Sequence, residues 1–207
     1  MKKCIIEVGA YDGKDSLKYH KQGFTVYTFE PNKKLFSDLF EKTKDIENYN
    51  VFNKAVCSFN GKTDFNICKA GGASSILKFR DDETLIKNWG KERTDVHYSG
   101  ESYVVETTRL DTFIEEQQLE NTIIEFIHID AQGVDLDCLK SVGKYIKNVR
   151  GGVLETVKKK EKSIYIGQDE NTLENIQKFL TNNDFKITHI SSNDRVQCEF
   201  NVYFKKI

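Results

Sequence analysis

Four carboxylates and one histidine stand where strand-like runs meet turns. Glu7 lies in Glu7-Val8-Gly9-Ala10-Tyr11-Asp12-Gly13 and Glu30 in Phe29-Glu30-Pro31-Asn32. His128 and Asp130 share Ile127-His128-Ile129-Asp130, and Glu155 lies in the run from Gly152 to Val157. Glu30 follows Gly9 by 21 residues. A strand, a glycine turn and an acid closing the next strand form the layout of a nucleotide-type cofactor site. The glycines let the backbone approach the ligand, and the acid takes ribose hydroxyls.

The glycine spacing narrows the ligand. Gly9 and Gly13 stand as G-x-x-x-G, with Tyr11 where the dinucleotide fingerprint has its second glycine. Such a loop is poorly suited to a pyrophosphate. Glu7 falls inside a buried run, and a buried carboxylate needs a partner. A cationic amino group or the loop's own N–H groups would serve. S-adenosyl-L-methionine offers an amino-acid head, a sulfonium, a ribose and an adenine, and so meets each feature. A nicotinamide-dependent oxidoreductase is the competing reading, and the missing G-x-G-x-x-G weighs against it.

His128 has the ordinary pKa closest to neutrality in its neighbourhood, which suits a general base. Strand alternation sets His128 and Asp130 on one face. Either could take a proton from an acceptor hydroxyl; alternatively, His128 is a satisfied core histidine. Gln132 and Glu155 extend the same neighbourhood. Ser74 and Ser75 either line an acceptor cleft or belong to a plain loop. His20, His97 and His189 show no metal-ligand spacing, and nothing in the spacing of Asp130 and Glu155 demands a divalent cation. No metal is expected.

The elements that must carry these groups alternate between strand and helix. Strands are expected over Cys4–Val8, Thr25–Phe29, Tyr49–Val56, Lys62–Ile67, Tyr103–Thr108, Ile123–Asp130 and Gly152–Val157, with a closing pair at Phe185–Ile190 and Gln197–Lys205 around Asn193-Asp194. Helices are expected over Asp15–Gln22, over Lys33–Thr43 capped by Asn32, and over Asp82–Trp89. Three more follow: one to Gln118 capped by Asp111, one over Val134–Val142, and one to Asn182 capped by Thr172. Asn60-Gly61 reads as a two-residue hairpin turn. Residues 69 to 102 are irregular, which in a compact domain suggests a functional lid.

The chain has 207 residues, enough for one domain with a sizeable core. Its 31 Lys and Arg nearly balance 32 Asp and Glu, for a formal net charge of -1. Bulk charge therefore gives no sign of a nucleic-acid or membrane partner. The densest basic run, Lys158-Lys159-Lys160-Glu161-Lys162, reads as a solvated loop. Five cysteines, Cys4, Cys57, Cys68, Cys138 and Cys198, are widely spaced with no C-x-x-C. That removes zinc-ribbon and dithiol redox readings and suits reduced core residues in a reducing compartment. No apolar run reaches the roughly 18 residues of a membrane span, and no signal peptide is evident. The expected location is cytoplasmic.

Four stretches, taken together, resemble the FkbM-type S-adenosylmethionine-dependent methyltransferases: Glu7 to Gly13, Phe29 to Asn32, Thr107-Thr108-Arg109-Leu110-Asp111, and Ile127 to Asp135. They occur in the family's order and cover roughly residues 4 to 157. The resemblance implies a cofactor site of Glu7, Gly9, Asp12 and Gly13 in the first loop and Glu30, Pro31 and Asn32 after the second strand. Ala55 and Val56 would flank the adenine, and Asp130 would stand near the amino group or the methyl. Ser74, Ser75, Gln132 and Glu155 are the candidate substrate-binding residues. Four positions depart from the family's usual residues: Asp12 replaces Asn, His128 replaces Lys, Gln132 replaces Glu and Asp135 replaces Glu. The changes at 128 and 132 alter charge on the acceptor side, so a non-catalytic binding module is a further reading.

The expectation is therefore a single α/β domain over residues 1–207. It has a Rossmann-like, doubly wound, mostly parallel sheet, a C-terminal antiparallel hairpin and a lid-like insertion around 69–102. It would methylate a hydroxyl of a sugar, glycan or small metabolite, without a nucleic-acid or membrane partner.

Overall fold

The computed structural model describes residues 2–91, 93–157, 160–192 and 199–207. In chain order the elements are β1 (Lys3–Val8), α1 (Lys14–Lys21), β2 (Thr25–Phe29), α2 (Lys33–Thr43), β3 (Tyr49–Phe52), β4 (Ala55–Val56), β5 (Gly61–Cys68) and β6 (Lys78–Phe79). There follow α3 (Asp82–Trp89), β7 (Tyr98–Thr108), α4 (Leu110–Glu116), β8 (Ile123–Ile129), α5 (Asp135–Lys140), β9 (Gly151–Val157), β10 (Tyr165–Ile166), α6 (Leu173–Asn182), β11 (Phe185–Ser192) and β12 (Glu199–Lys206).

Seven strands form the main sheet in the order β11-β12-β9-β8-β1-β2-β3. The strands from β3 to β9 run parallel, and β12 and β11 add antiparallel at one edge. Alternation along β1 divides the core. Cys4, Ile6 and Val8 pack with Leu110 and Phe113 of α4, Leu136 and Leu139 of α5, and Ile176 and Leu180 of α6. Ile5 points the other way, with Val26, Leu17 of α1 and Leu39 of α2. Helices therefore cover both faces, the doubly wound arrangement expected of a βα alternation. The order reverses between β1 and β8, and ligands in such sheets bind beyond the strand ends at that point.

Local chemistry explains most boundaries. Asn32 caps α2, its Oδ1 accepting N–H bonds from Lys34 at 3.0 Å and Leu35 at 3.2 Å. Thr172 caps α6 by accepting from the Asn175 N–H. Asp81 caps α3 through the Thr84 N–H.

Four expectations need correction. The run from Tyr49 to Val56 is two strands, because Asn53 turns back and donates to the Glu30 and Pro31 carbonyls. Ala55–Val56 then joins a second sheet of order β4-β7-β5. Asn60-Gly61 closes no hairpin: β5 pairs antiparallel with β7, and the Asn60 side chain instead accepts the Arg109 N–H and donates to Thr112. Asp111 does not cap α4. Its carboxylate lies in the first turn, paired with the Arg109 guanidinium at 2.6 Å. The helix after Asp130 runs only from Asp135 to Lys140 and gives way to a 3-10 turn.

The described residues of 69–102 fold around α3 and dock on the segment carrying β10. Leu85, Trp89 and Val96 bury themselves against Ile164 and Tyr165 in a small separate core. Cys4, Cys57, Cys68 and Cys138 are buried free thiols. Cys198, Lys158, Lys159 and the Asn193-Asp194 turn lie outside the described residues. Among the described residues no helix is long and apolar enough to cross a membrane.

Candidate functional site

The loop after β1 is drawn tightly against the end of β8. Gly9 (φ +81°) and Ala10 both donate their N–H to the Phe29 carbonyl at 3.0 Å. A Cβ on Gly9 would lie 1.9 Å from the Asp130 carbonyl oxygen, so only glycine fits. Tyr11 takes a left-handed conformation (φ +50°) that aims its N–H at Glu30 Oε2, 2.7 Å away. Glu30 Oε1 accepts the Asn32 N–H at 2.8 Å. Each oxygen thus holds one backbone donor and keeps a second lone pair. Burial pushes the Glu30 carboxyl up to about 7, against the pull of the Asn32 and Tyr11 N–H bonds.

A cavity of about 450 Å³ opens above these strand ends. Of the expected residues, Glu7, Gly9, Asp12, Glu30, Pro31, Ala55, Val56, Ser74, His128, Asp130 and Gln132 line it. Gly13, Asn32, Ser75 and Glu155 do not. Gly13 sits behind the wall, where a Cβ would meet Leu39 at 2.3 Å. Asn32 is occupied in capping α2. Ser75 is buried and donates to the Gln132 carbonyl at 2.7 Å. Glu155 is buried beneath Gln132. The wall is rich in acids: Glu7, Asp12, Asp15, Glu30 and Asp130 face it, against Lys14 and Lys54.

Glu7 is 2% exposed, and its Oε2 accepts the Thr28 hydroxyl at 2.7 Å. Its other oxygen lies 3.8 Å from His128 Nδ1, a buried nitrogen with no hydrogen-bond partner. Ligand atoms of Glu7, Asp15 and His128 all lie within 4.8 Å of one another. Burial raises the Glu7 carboxyl to about 7 and depresses His128, with Asp15 and Asp130 opposing the latter. A buried acid, an exposed acid and a half-buried imidazole whose charged form burial disfavours together suit an ammonium group.

On the opposite wall Gln132 Nε2 donates to Asp130 Oδ1 at 2.5 Å and to Glu155 Oε2 at 3.2 Å. Burial raises the Asp130 carboxyl, and the Gln132 bond opposes that rise. Asp135 pins the turn beneath, accepting the N–H groups of Ala131 at 3.0 Å and Gly133 at 3.1 Å. Sequence reasoning missed Asp15 and Tyr165 as site residues. Asp15, two residues past Gly13 at the start of a helix, carried a positional signal. Tyr165, whose hydroxyl meets Gln132 Oε1 at 2.7 Å, carried none.

The methyltransferase FkbM domain family matches residues 7–187. None of the curated proteins matches the sequence. Among solved structures, magnesium protoporphyrin IX methyltransferase (ChlM) from Synechocystis PCC 6803 with bound SAM superposes with a TM-score of 0.51 at 10% identity, over 100% of this chain and 71% of that one. The bifunctional kinase-methyltransferase WbdD gives 0.50 at 9% identity, over 98% of this chain and 34% of that one. At such identities these likenesses speak to the fold, a Rossmann-like class I methyltransferase fold. With the family match spanning nearly the whole chain, and the loop, acid and strand-end aspartate in place, this chain belongs to the methyltransferase FkbM domain family.

Proposed function

We propose that this chain transfers the methyl group of S-adenosyl-L-methionine to a hydroxyl of a sugar, glycan or small metabolite. The observation that carries the cofactor half is Glu30. Its carboxylate is fixed by the Tyr11 and Asn32 N–H groups and still offers lone pairs at the cavity wall. Vicinal ribose hydroxyls are the natural donors to such a group. Ala55 and Val56 supply an apolar wall for the adenine, and Gly9 and Asp12 border the amino-acid end. Glu7, with Asp15 and His128 beside it, would hold the α-ammonium, so a cation would take the corner that is short of positive charge.

The bound cofactor supplies an electrophilic methyl carbon on a sulfonium. This chain's part is to orient the acceptor and receive its proton. Orientation lowers such barriers by several kcal/mol, about 7–11 in the best cases. A positioned base adds roughly a hundredfold or more. Asp130 and His128 both face the cavity, and either can take the hydroxyl proton. The acceptor side is bounded by Ser74, Gln132 and the segment around 69–102, which acts as the lid of a single domain over 1–207. The hydroxyl-bearing acceptor follows from family likeness, a warrant of analogy.

Calorimetric titration with S-adenosylhomocysteine tests the cofactor directly. Micromolar affinity is expected, and undetectable binding beside an unchanged fold would remove the assignment. His128→Ala and Asp130→Asn, assayed separately against a panel of hydroxylated acceptors, then identify the base. Full turnover in both variants would exclude both residues.

A further inference from the structure

The Gln132 side chain joins three neighbours at one point. The residue's backbone carbonyl accepts the Ser75 hydroxyl at 2.7 Å, and its backbone is held at φ +52°. Its amide nitrogen donates to Asp130 Oδ1 and Glu155 Oε2, and its amide oxygen lies 2.7 Å from the Tyr165 hydroxyl. That hydroxyl also lies 2.6 Å from the Ala73 carbonyl, so one hydrogen faces two acceptors. The carboxylates settle the orientation. A flipped amide would turn its oxygen onto Asp130 and Glu155, so the NH₂ faces them and only the oxygen remains for Tyr165.

The family resemblance would have a glutamate at this position. A carboxyl here would put a third acid between the half-buried Asp130 and the buried Glu155, which demands a proton or a cation. The amide instead supplies two donors and no charge. Tyr165 belongs to the small core that includes Leu85 and Trp89, so the amide is clamped from the lid side.

We propose that Gln132 is a positioning residue: its amide, oriented by Tyr165, holds the Asp130 carboxylate aimed at the acceptor side and available as a proton acceptor. The proposal rests on the methyl-transfer reading for its purpose, though its test does not need the acceptor. The titratable groups facing Asp130 are His128 from β8, Asp15 from α1, Glu30 beyond β2, Asp135 from α5, Glu155 from β9 and Tyr165 from β10. The acids among them favour the protonated form of Asp130. Gln132 and a protonated His128 favour the ionised form.

The test is the titration of the Asp130 carboxyl carbon by NMR, in protein ¹³C-labelled at aspartate side chains and assigned with Asp130→Asn. Gln132→Leu should raise the midpoint by about one pH unit, a tenfold gain in proton affinity. Tyr165→Phe, which keeps the ring and frees the amide, should raise it by about half a unit, or threefold. Titration with S-adenosylhomocysteine on the same samples separates the two readings. Unchanged affinity beside a moved midpoint supports positioning. Absent affinity in the unmodified protein sinks the cofactor assignment alone. Midpoints that stay put in both variants overturn the role of Gln132. If Gln132→Leu does not fold, Tyr165→Phe decides alone: a shift sustains the role and no shift overturns it.

Discussion

The Glu30 side chain grips the Tyr11 backbone N–H at 2.7 Å, joining the turn after β1 to the end of β2. Replacing Glu30 with Gln puts an NH₂ against one of two backbone donors, because Asn32 N–H needs the other oxygen. An unpaired buried donor costs about 1–3 kcal/mol. Glu30→Gln should therefore weaken S-adenosylhomocysteine binding by roughly tenfold to a hundredfold and lower the melting temperature by a few degrees. Calorimetry and thermal melts check both. Unchanged affinity would remove Glu30 from the ligand's reach.

Gly9 and Gly23 separate clash from backbone strain. Both have positive φ, +81° and +89°, yet a Cβ on Gly23 meets nothing within 4 Å, whereas on Gly9 it meets the Asp130 carbonyl. Gly23→Ala should cost only the conformational penalty, about 1–2 kcal/mol. Gly9→Ala must also push the loop off β8, so a loss above about 4 kcal/mol, or of the folded state, is expected. Urea denaturation of the pair checks this, and equal losses would contradict the close approach.

Much of the site was legible because its signals are local. Strand, glycine turn and acid lie within Cys4 to Asn32, and Asn32 announces its helix by side-chain chemistry alone. Asn60-Gly61 misled because the same dipeptide that suits a two-residue hairpin also suits a bend whose side chain serves a distant loop, here Arg109 and Thr112. The strand from Tyr49 was read too long because Ala55-Val56 stays apolar while leaving for another sheet. Tyr165 was invisible for a different reason. Its meeting with Gln132 and Ala73 bridges 33 and 92 residues, and no periodicity encodes such a contact.

Three buried acids dominate the pH dependence of stability; the raised Asp130 acts with them and the depressed His128 against them. Burial lifts Glu7, Glu30 and Asp135 to about 7, above the roughly 4 of an unfolded chain. Between those values the folded state binds more protons than the unfolded state, so unfolding free energy falls as pH rises. The contribution is fully present below about pH 4 and lost as pH rises through 7. Each group contributes of order 1–3 kcal/mol. Asp12, Asp81, Asp111 and Glu115 are shifted downward and titrate below this window. Urea midpoints should fall from pH 5 to pH 8, and a rising midpoint would contradict the burial of these carboxyls.

Trp89, the sole tryptophan, reports on the segment over the cavity. It is 2% exposed and donates its indole N–H to the Lys162 carbonyl at 2.9 Å. Its neighbours Leu85, Val96, Ile164 and Tyr165 form a core much smaller than the one between sheet and helices. Smaller buried area gives a lower local opening free energy. Trp89 fluorescence should therefore be blue-shifted in the native protein and lose that shift at lower urea than the far-UV dichroism of the main sheet. Tyr165→Phe removes the hydroxyl that ties this core to Ala73 and Gln132, so it should widen the gap between the two transitions. Coincident transitions in both proteins would show instead that the segment unfolds as one unit with the sheet, and the proposal that it opens separately as a lid would fall.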